Sequence, residues 1–308
     1  MVWLIFGAVI AVIATPIVVE RLRKHISPAL RAEAPGRYTN LSQGVTHYQW
    51  AGPPDGQIVV CVHGLSTPSY VMTALVKGFV LMGFRVLSYD LYGRGLSARP
   101  QGDQDLPFFR QQLAELLEDQ GVDGPITLVG YSMGGSISVD FASTYPEKVH
   151  QIILLATAGL GQKISPVTRF LMIVPVVGDA LMNTFGGFRY GRSTAAMDAA
   201  IEAAPNMKPW PVRECRSQGF LPAVLSSYRH TLTVQQDEAH RTISENDIAV
   251  LAIWGAEDPV VPMTAMGRLA QANRTSRQTV VPGADHSVIY THPQDVIRDI
   301  QEFLRAAD

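Results

Sequence analysis

Cysteine is nearly absent from this chain: 308 residues contain two, Cys61 and Cys215. They share no CxxC or Cys/His spacing, which excludes a disulfide framework and a zinc site and leaves two free thiols. Charge is equally sparse. Charged residues make up 17% of the sequence and the net charge is −2, a balance that argues against a nucleic-acid surface. There is no internal repeat, no low-complexity segment, no phosphate loop and no cluster of metal ligands. Neither a metal nor a cofactor is expected. What the chain has in quantity is apolar side chain, 47% of residues, enough for the core of one large domain and leaving no room for a second of that size.

The most informative stretch is Gly130-Tyr131-Ser132-Met133-Gly134-Gly135. It follows an apolar run, Ile126-Thr127-Leu128-Val129, and precedes a helix predicted to start at Ser136-Ile137-Ser138-Val139. A serine between a strand and a helix in a G-x-S-x-G frame is a nucleophile elbow, because the sharp turn tolerates no bulk two residues to either side. Its competitor is a plain Gly-rich turn. A serine is a weak nucleophile on its own, so the elbow reading requires a histidine base and a carboxylate on the same sheet edge. Asp258 follows the apolar run Ile248–Trp254, and His286 follows the run Gln278–Val281 through Pro282-Gly283-Ala284-Asp285.

The order Ser132, Asp258, His286 resembles that of the α/β-hydrolase family. Further matches are His63-Gly64-Leu65-Ser66 after Ile58–Val62, Asp90-Leu91-Tyr92-Gly93-Arg94-Gly95-Leu96-Ser97 after Arg85–Tyr89, the strand Gln151–Leu155, and a closing helix from Pro293 to Arg305. The resemblance spans about residues 40 to 306. It implies an α/β fold with a mostly parallel sheet flanked by helices, and it implies that the backbone N–H groups of Leu65 and Met133 form the oxyanion hole.

Other residues compete for these roles. His63 reads as a brace of the oxyanion loop, and His292 as a helix-terminus residue before Pro293. His25, His47, His150, His230 and His240 have no motif context and read as surface or packing residues. Glu257 is the rival acid to Asp258, Asp285 points away if His286 points inward, and Asp90 organises a turn.

Val2 to Val19 is uncharged and almost wholly apolar, and about 18 residues just span the roughly 30 Å hydrocarbon layer. A transmembrane anchor over 1–19 is therefore expected, with a cleaved signal peptide as the rival that lacks a basic n-region. Arg21, Arg23, Lys24 and Arg31 follow it, which predicts a single-pass membrane protein with the catalytic domain on the cytoplasmic side. Residues 20–39 read as a juxtamembrane linker, 40–158 with 241–308 as the hydrolase core, and 159–240 as a helical cap. The cap run Phe170–Val177, broken by Pro175, is followed by Leu181, Met182 and Phe185. Met172, Leu181 and Phe185 are candidate walls of an acyl-chain tunnel; the plainer reading is that they only join the cap to the core.

The anchor together with the elbow is similar to membrane-bound monoacylglycerol lipases of the α/β-hydrolase-domain group. That similarity implies a serine esterase acting on a small-molecule, lipid-like ester such as a monoacylglycerol or lysophospholipid. A C–C bond hydrolase of meta-cleavage products, a thioesterase or lactonase, and a non-catalytic scaffold are the alternatives.

Overall fold

The computed structural model describes residue 3, residues 14–202 and residues 214–307. Its centre is an eight-stranded sheet formed by β1 (Arg37–Leu41), β2 (Gly44–Ala51), β3 (Ile58–Val62), β4 (Arg85–Tyr89), β5 (Ile126–Tyr131), β6 (Val149–Leu155), β7 (Ala249–Gly255) and β8 (Arg277–Val281), in the order β1-β2-β4-β3-β5-β6-β7-β8. β1 and β2 run antiparallel to their neighbours. All pairings from β4 through β8 are parallel.

Parallel strands covered on both faces have no solvent side, so their sequences are continuous apolar runs rather than alternating ones. In β3, Val60 and Val62 enter one core and Val59 and Cys61 the other. β7 divides likewise, Val250, Ala252 and Trp254 from Leu251 and Ile253. The first core is closed by α2 (Leu106–Asp119), α3 (Met133–Thr144) and α8 (Thr264–Ala272), and the second by α1 (Thr73–Leu81) and α9 (Pro293–Ala307). Cys61 and Cys215 are free and buried, and burial pushes the Cys61 thiol up to about 12.

Between β6 and β7 the chain leaves the sheet and forms a helical insertion with α4 (Pro166–Ile173), α5 (Pro175–Glu202), α6 (Phe220–His230) and α7 (Asp237–Glu245). Residues 203–213 of this region lie outside the described residues. Met182, Phe220, Leu221, Val224 and Leu225 give it a small core of its own.

The expected membrane anchor and single-pass localisation are corrected by the structure. Among the described residues no helix is long and apolar enough to cross a membrane. Residues 1–2 and 4–13 of the expected span lie outside the described residues. The segment that follows the expected span is drawn against the insertion by polar contacts. Glu20 accepts the Gly219 N–H at 2.6 Å and pairs with Arg23, while Lys24 N–H donates to Arg216 O and Gln218 N–H to Lys24 O, both at 2.9 Å. With no span in place, the topology inferred from Arg21, Arg23, Lys24 and Arg31 has no support either. Residues 28–33 form a short helix and residues 37–39 belong to β1.

Candidate active site

β5 runs directly into α3, and the residue at the junction is Ser132, with φ 53° and ψ −117°. This backbone conformation costs on the order of 1–3 kcal/mol in a non-glycine residue and survives only where its surroundings over-determine it. Here Ser132 N–H donates to Leu155 O at 2.9 Å, and Ser132 O accepts the N–H groups of Gly135 and Ala158 at 2.9 and 3.0 Å. The flanking glycines are required by close approach. A Cβ on Gly130 would stand 2.6 Å from Gly134 O, and one on Gly134 would stand 2.1 Å from Val62 O.

The ends of β7 and β8 deliver the other two groups. His286 Nε2 lies 2.9 Å from Ser132 Oγ, and His286 Nδ1 lies 2.8 Å from Asp258 Oδ2. The Asp258 side chain is 2% exposed, and its second oxygen accepts the N–H groups of Val260 and Val261 at 2.7 and 2.8 Å. The carboxylate is thus held on one side while its free oxygen faces the imidazole. Glu257, the rival acid, is exposed, and Asp285 turns away to accept Ser287 N–H at 2.8 Å.

The candidate oxyanion donors flank Ser132. Met133 N–H is at the first position of α3, where a helix offers no acceptor. Leu65 lies on the loop after β3, and among the described residues neither N–H is taken by another backbone acceptor. His63 Nδ1 is 2.8 Å from Gly64 O, and Leu91 N–H donates to His63 Nε2 at 2.9 Å. Since Nε2 accepts, the proton is on Nδ1, so His63 donates to the carbonyl of the peptide whose N–H belongs to Leu65. Burial lowers its pKa to about 4 against the opposing pull of Asp90. It is a neutral brace and does not reach Ser132.

Asp90 is likewise structural. Its carboxylate accepts from Ser69 N–H and Oγ at 2.8 and 2.7 Å, from Leu96 N–H at 2.9 Å and contacts His47 Nδ1 at 2.8 Å. Burial disfavours its charge, but His47 and these donors hold the carboxyl well below the usual range. Gly95, at φ 54°, must lack a side chain because a Cβ would stand 2.0 Å from Asp90 Oδ2. His47 belongs to this buried network; sequence gave it no context because its partners are distant in the chain.

A cavity of about 340 Å³ opens over Ser132 and His286, walled by Leu65, Tyr131, Tyr190 and Tyr228 among others. A second cavity of about 280 Å³ lies inside the insertion and shares Tyr190 and Tyr228 with the first. Leu181 and Phe185 line it together with Met182, Leu171 and Leu225. Met172 does not line it; its carbonyl accepts Arg229 Nε–H at 3.1 Å. Among the described residues no group of three His, Cys, Asp or Glu side chains is arranged to hold a metal.

A family model described as the alpha/beta hydrolase fold matches residues 57–293. The chain belongs to the α/β-hydrolase family. A 2-hydroxy-6-oxononadienedioate/2-hydroxy-6-oxononatrienedioate hydrolase of Burkholderia vietnamiensis is 28% identical over 88% of this chain and 96% of its own. A thermophilic esterase from Thermogutta terrifontis superposes with a TM-score of 0.68 at 22% identity, over 89% of this chain and 99% of that one. The enol-lactonase from Burkholderia xenovorans LB400 superposes with a TM-score of 0.73 at 18% identity, over 87% and 100%. At these identities the two structures show that this α/β-hydrolase shares their fold.

Sequence reasoning missed Arg94, Tyr131 as a side chain, and the tyrosine pair 190 and 228. Arg94 carried a signal, a charge between two glycines in the loop after the buried strand β4. The tyrosines carried none.

Proposed function

We propose that this α/β-hydrolase is a serine hydrolase cleaving carboxylic esters through an acyl-enzyme, with Ser132 as nucleophile, His286 as general base and acid, and Asp258 as its orienting partner. The observation that carries the reading is the continuous contact from Asp258 through His286 to Ser132, 2.8 and 2.9 Å. Ser132 Oγ attacks the carbonyl carbon and its proton passes to His286 Nε2. The negative oxygen of the tetrahedral intermediate is held by the N–H groups of Leu65 and Met133. As the intermediate collapses, the alcohol leaves with the proton from His286. Water then repeats the sequence on the acyl-enzyme and frees the acid.

In this reading residues 159–240 cap a core of 40–158 and 241–308, and the substrate is a lipid-like ester such as a monoacylglycerol or lysophospholipid. The apolar cavity supports that choice: it adjoins the catalytic cavity at Tyr190 and Tyr228 and takes its lining from Leu171, Leu181, Met182, Phe185 and Leu225. Apolar ligand surface is favoured there by about 0.8 kcal/mol per buried methylene. The relative of 28% identity favours a second reading, hydrolysis of a C–C bond in a dienoate by the same triad.

The test is a panel of esters of graded chain length beside a meta-cleavage dienoate, with Ser132→Ala as the reference. That variant should lose roughly 10⁴-fold in kcat and all labelling by a fluorophosphonate. A wild-type preference for the dienoate would replace the ester reading, and a Ser132→Ala enzyme of near-normal rate would remove Ser132 as nucleophile.

A further inference from the structure

Among the described residues Arg94 is the largest side chain buried completely, and all five of its N–H donors meet acceptors. Nε–H donates to Leu65 O at 2.8 Å. Nη1 donates to Tyr92 O at 2.9 Å and to Gln104 Oε1. Nη2 donates to Ser227 Oγ at 2.8 Å and to Ala223 O at 3.5 Å. The guanidinium therefore joins the loop that carries Leu65 to one face of α6 in the insertion. Among the described residues no carboxylate oxygen forms an ion pair with it. Burial brings its pKa down to about 9, so it is charged at neutral pH.

A buried cation is costly, and a hydrophobic side chain would fill the same space more cheaply. What an arginine supplies in return is rigid geometry, a planar fork that ties fixed acceptors together. The acceptor that matters here is Leu65 O. Leu65 has its carbonyl held by Arg94, and the carbonyl preceding it, Gly64 O, held by His63. Both peptides around Leu65 are clamped. Its side chain also packs against both the main core and the small core of the insertion. Oxyanion stabilisation depends on donors fixed before the reaction begins, so a loosened clamp lowers transition-state affinity more than substrate affinity.

We propose that Arg94 is a positioning residue that holds the Leu65 N–H toward the oxyanion and couples this alignment to the seating of α6. The inference rests on the reading of Leu65 as an oxyanion donor. Its experiment uses two inhibitors of the same chain, an alkyl trifluoromethyl ketone and the corresponding ether. Ser132 Oγ adds to the ketone carbon, its proton passes to His286 Nε2, and the carbonyl oxygen becomes the oxyanion; the ether undergoes no addition.

In the wild type the ketone should bind far more tightly than the ether, and Ser132→Ala should abolish the difference. Failure at this first step would overturn the reading of the site itself. With that difference in hand, Arg94→Met should weaken the ketone roughly 10-fold or more and leave the ether within about twofold, because the ether forms no oxyanion for the Leu65 N–H to hold. Arg94→Lys should not rescue it, since an ammonium on a flexible stem lacks the planar five-donor fork that fixes Leu65 O and Ser227 Oγ in set directions. Ser227→Ala, on α6 and remote from Leu65 O, should reproduce the selective loss at roughly threefold. If Arg94→Met does not fold, Ser227→Ala decides. Equal losses on both inhibitors, or none on either, would overturn the role assigned to Arg94.

Discussion

Tyr131, the residue before the elbow serine, donates its hydroxyl to the backbone carbonyl of His286 at 2.9 Å. The two rings lie 5.5 Å apart. One strand end therefore positions Ser132 through its backbone and His286 through a side chain, which ties the distance between them to a single rigid element. Burial, aided by Tyr290, Asp258 and Asp285, raises the Tyr131 pKa well above its ordinary value, so the donor is retained across the working range. Tyr131→Phe removes this bond alone. It is expected to lower kcat roughly 3- to 10-fold with KM nearly unchanged, and to cost about 1 kcal/mol of stability. A kcat equal to wild type would show that His286 is held without it.

For the acid, Asp258→Asn is the informative change. An asparagine that keeps its oxygen on Val260 and Val261 turns an N–H donor toward His286 Nδ1 and forces the wrong tautomer. The expected loss in kcat is roughly 10³- to 10⁴-fold. Glu257→Gln, at an exposed side chain, should change kcat by less than about twofold. A larger loss at Glu257 would reverse the assignment.

The apolar cavity predicts a difference among residues that sequence placed together. Leu181→Asp and Phe185→Asp put a charge on its wall and should cut kcat/KM on a long-chain monoacylglycerol roughly 10-fold, sparing a butyrate ester. Met172→Asp, outside the wall, should not discriminate between the two substrates. Equal losses on long and short esters at the first two positions would mean that the cavity does not read chain length.

His240 is fully buried, with no partner for either ring nitrogen among the described residues. Burial, opposed by Asp237, lowers its pKa from 6.5 to about 4. The folded state prefers it neutral, so its ionisation costs the fold nothing above pH 6.5 and stability is lost progressively as the pH falls from 6.5 toward 4, where only the unfolded chain is protonated. His240→Leu should raise the midpoint of urea unfolding at pH 7 by about 1 kcal/mol equivalent and widen its advantage at pH 5. His63, lowered in the same direction, leaves part of the acid sensitivity in place. An unchanged pH profile in the variant would remove His240 as a contributor.

The inner strands were legible because a parallel strand buried on both faces must be apolar throughout, as Ile58–Val62 and Ala249–Gly255 are. The candidate triad stood out for a related reason: Ser132 and Asp258 follow such runs, His286 follows the edge strand β8, and the ends of parallel strands meet at one edge. The apolar run at the N-terminus misled because length and hydropathy cannot report a tertiary contact. Glu20, the residue just after that run, is satisfied by Gly219, nearly two hundred residues later. The same limit hid Arg94, His47 and the tyrosines at 190 and 228. Local sequence determined which segments had to be buried and where the candidate catalytic groups stand along the chain. Which acceptors surround a buried charge, and which aromatic rings divide two cavities, is decided by atoms far apart in sequence, and only the folded chain brings them together.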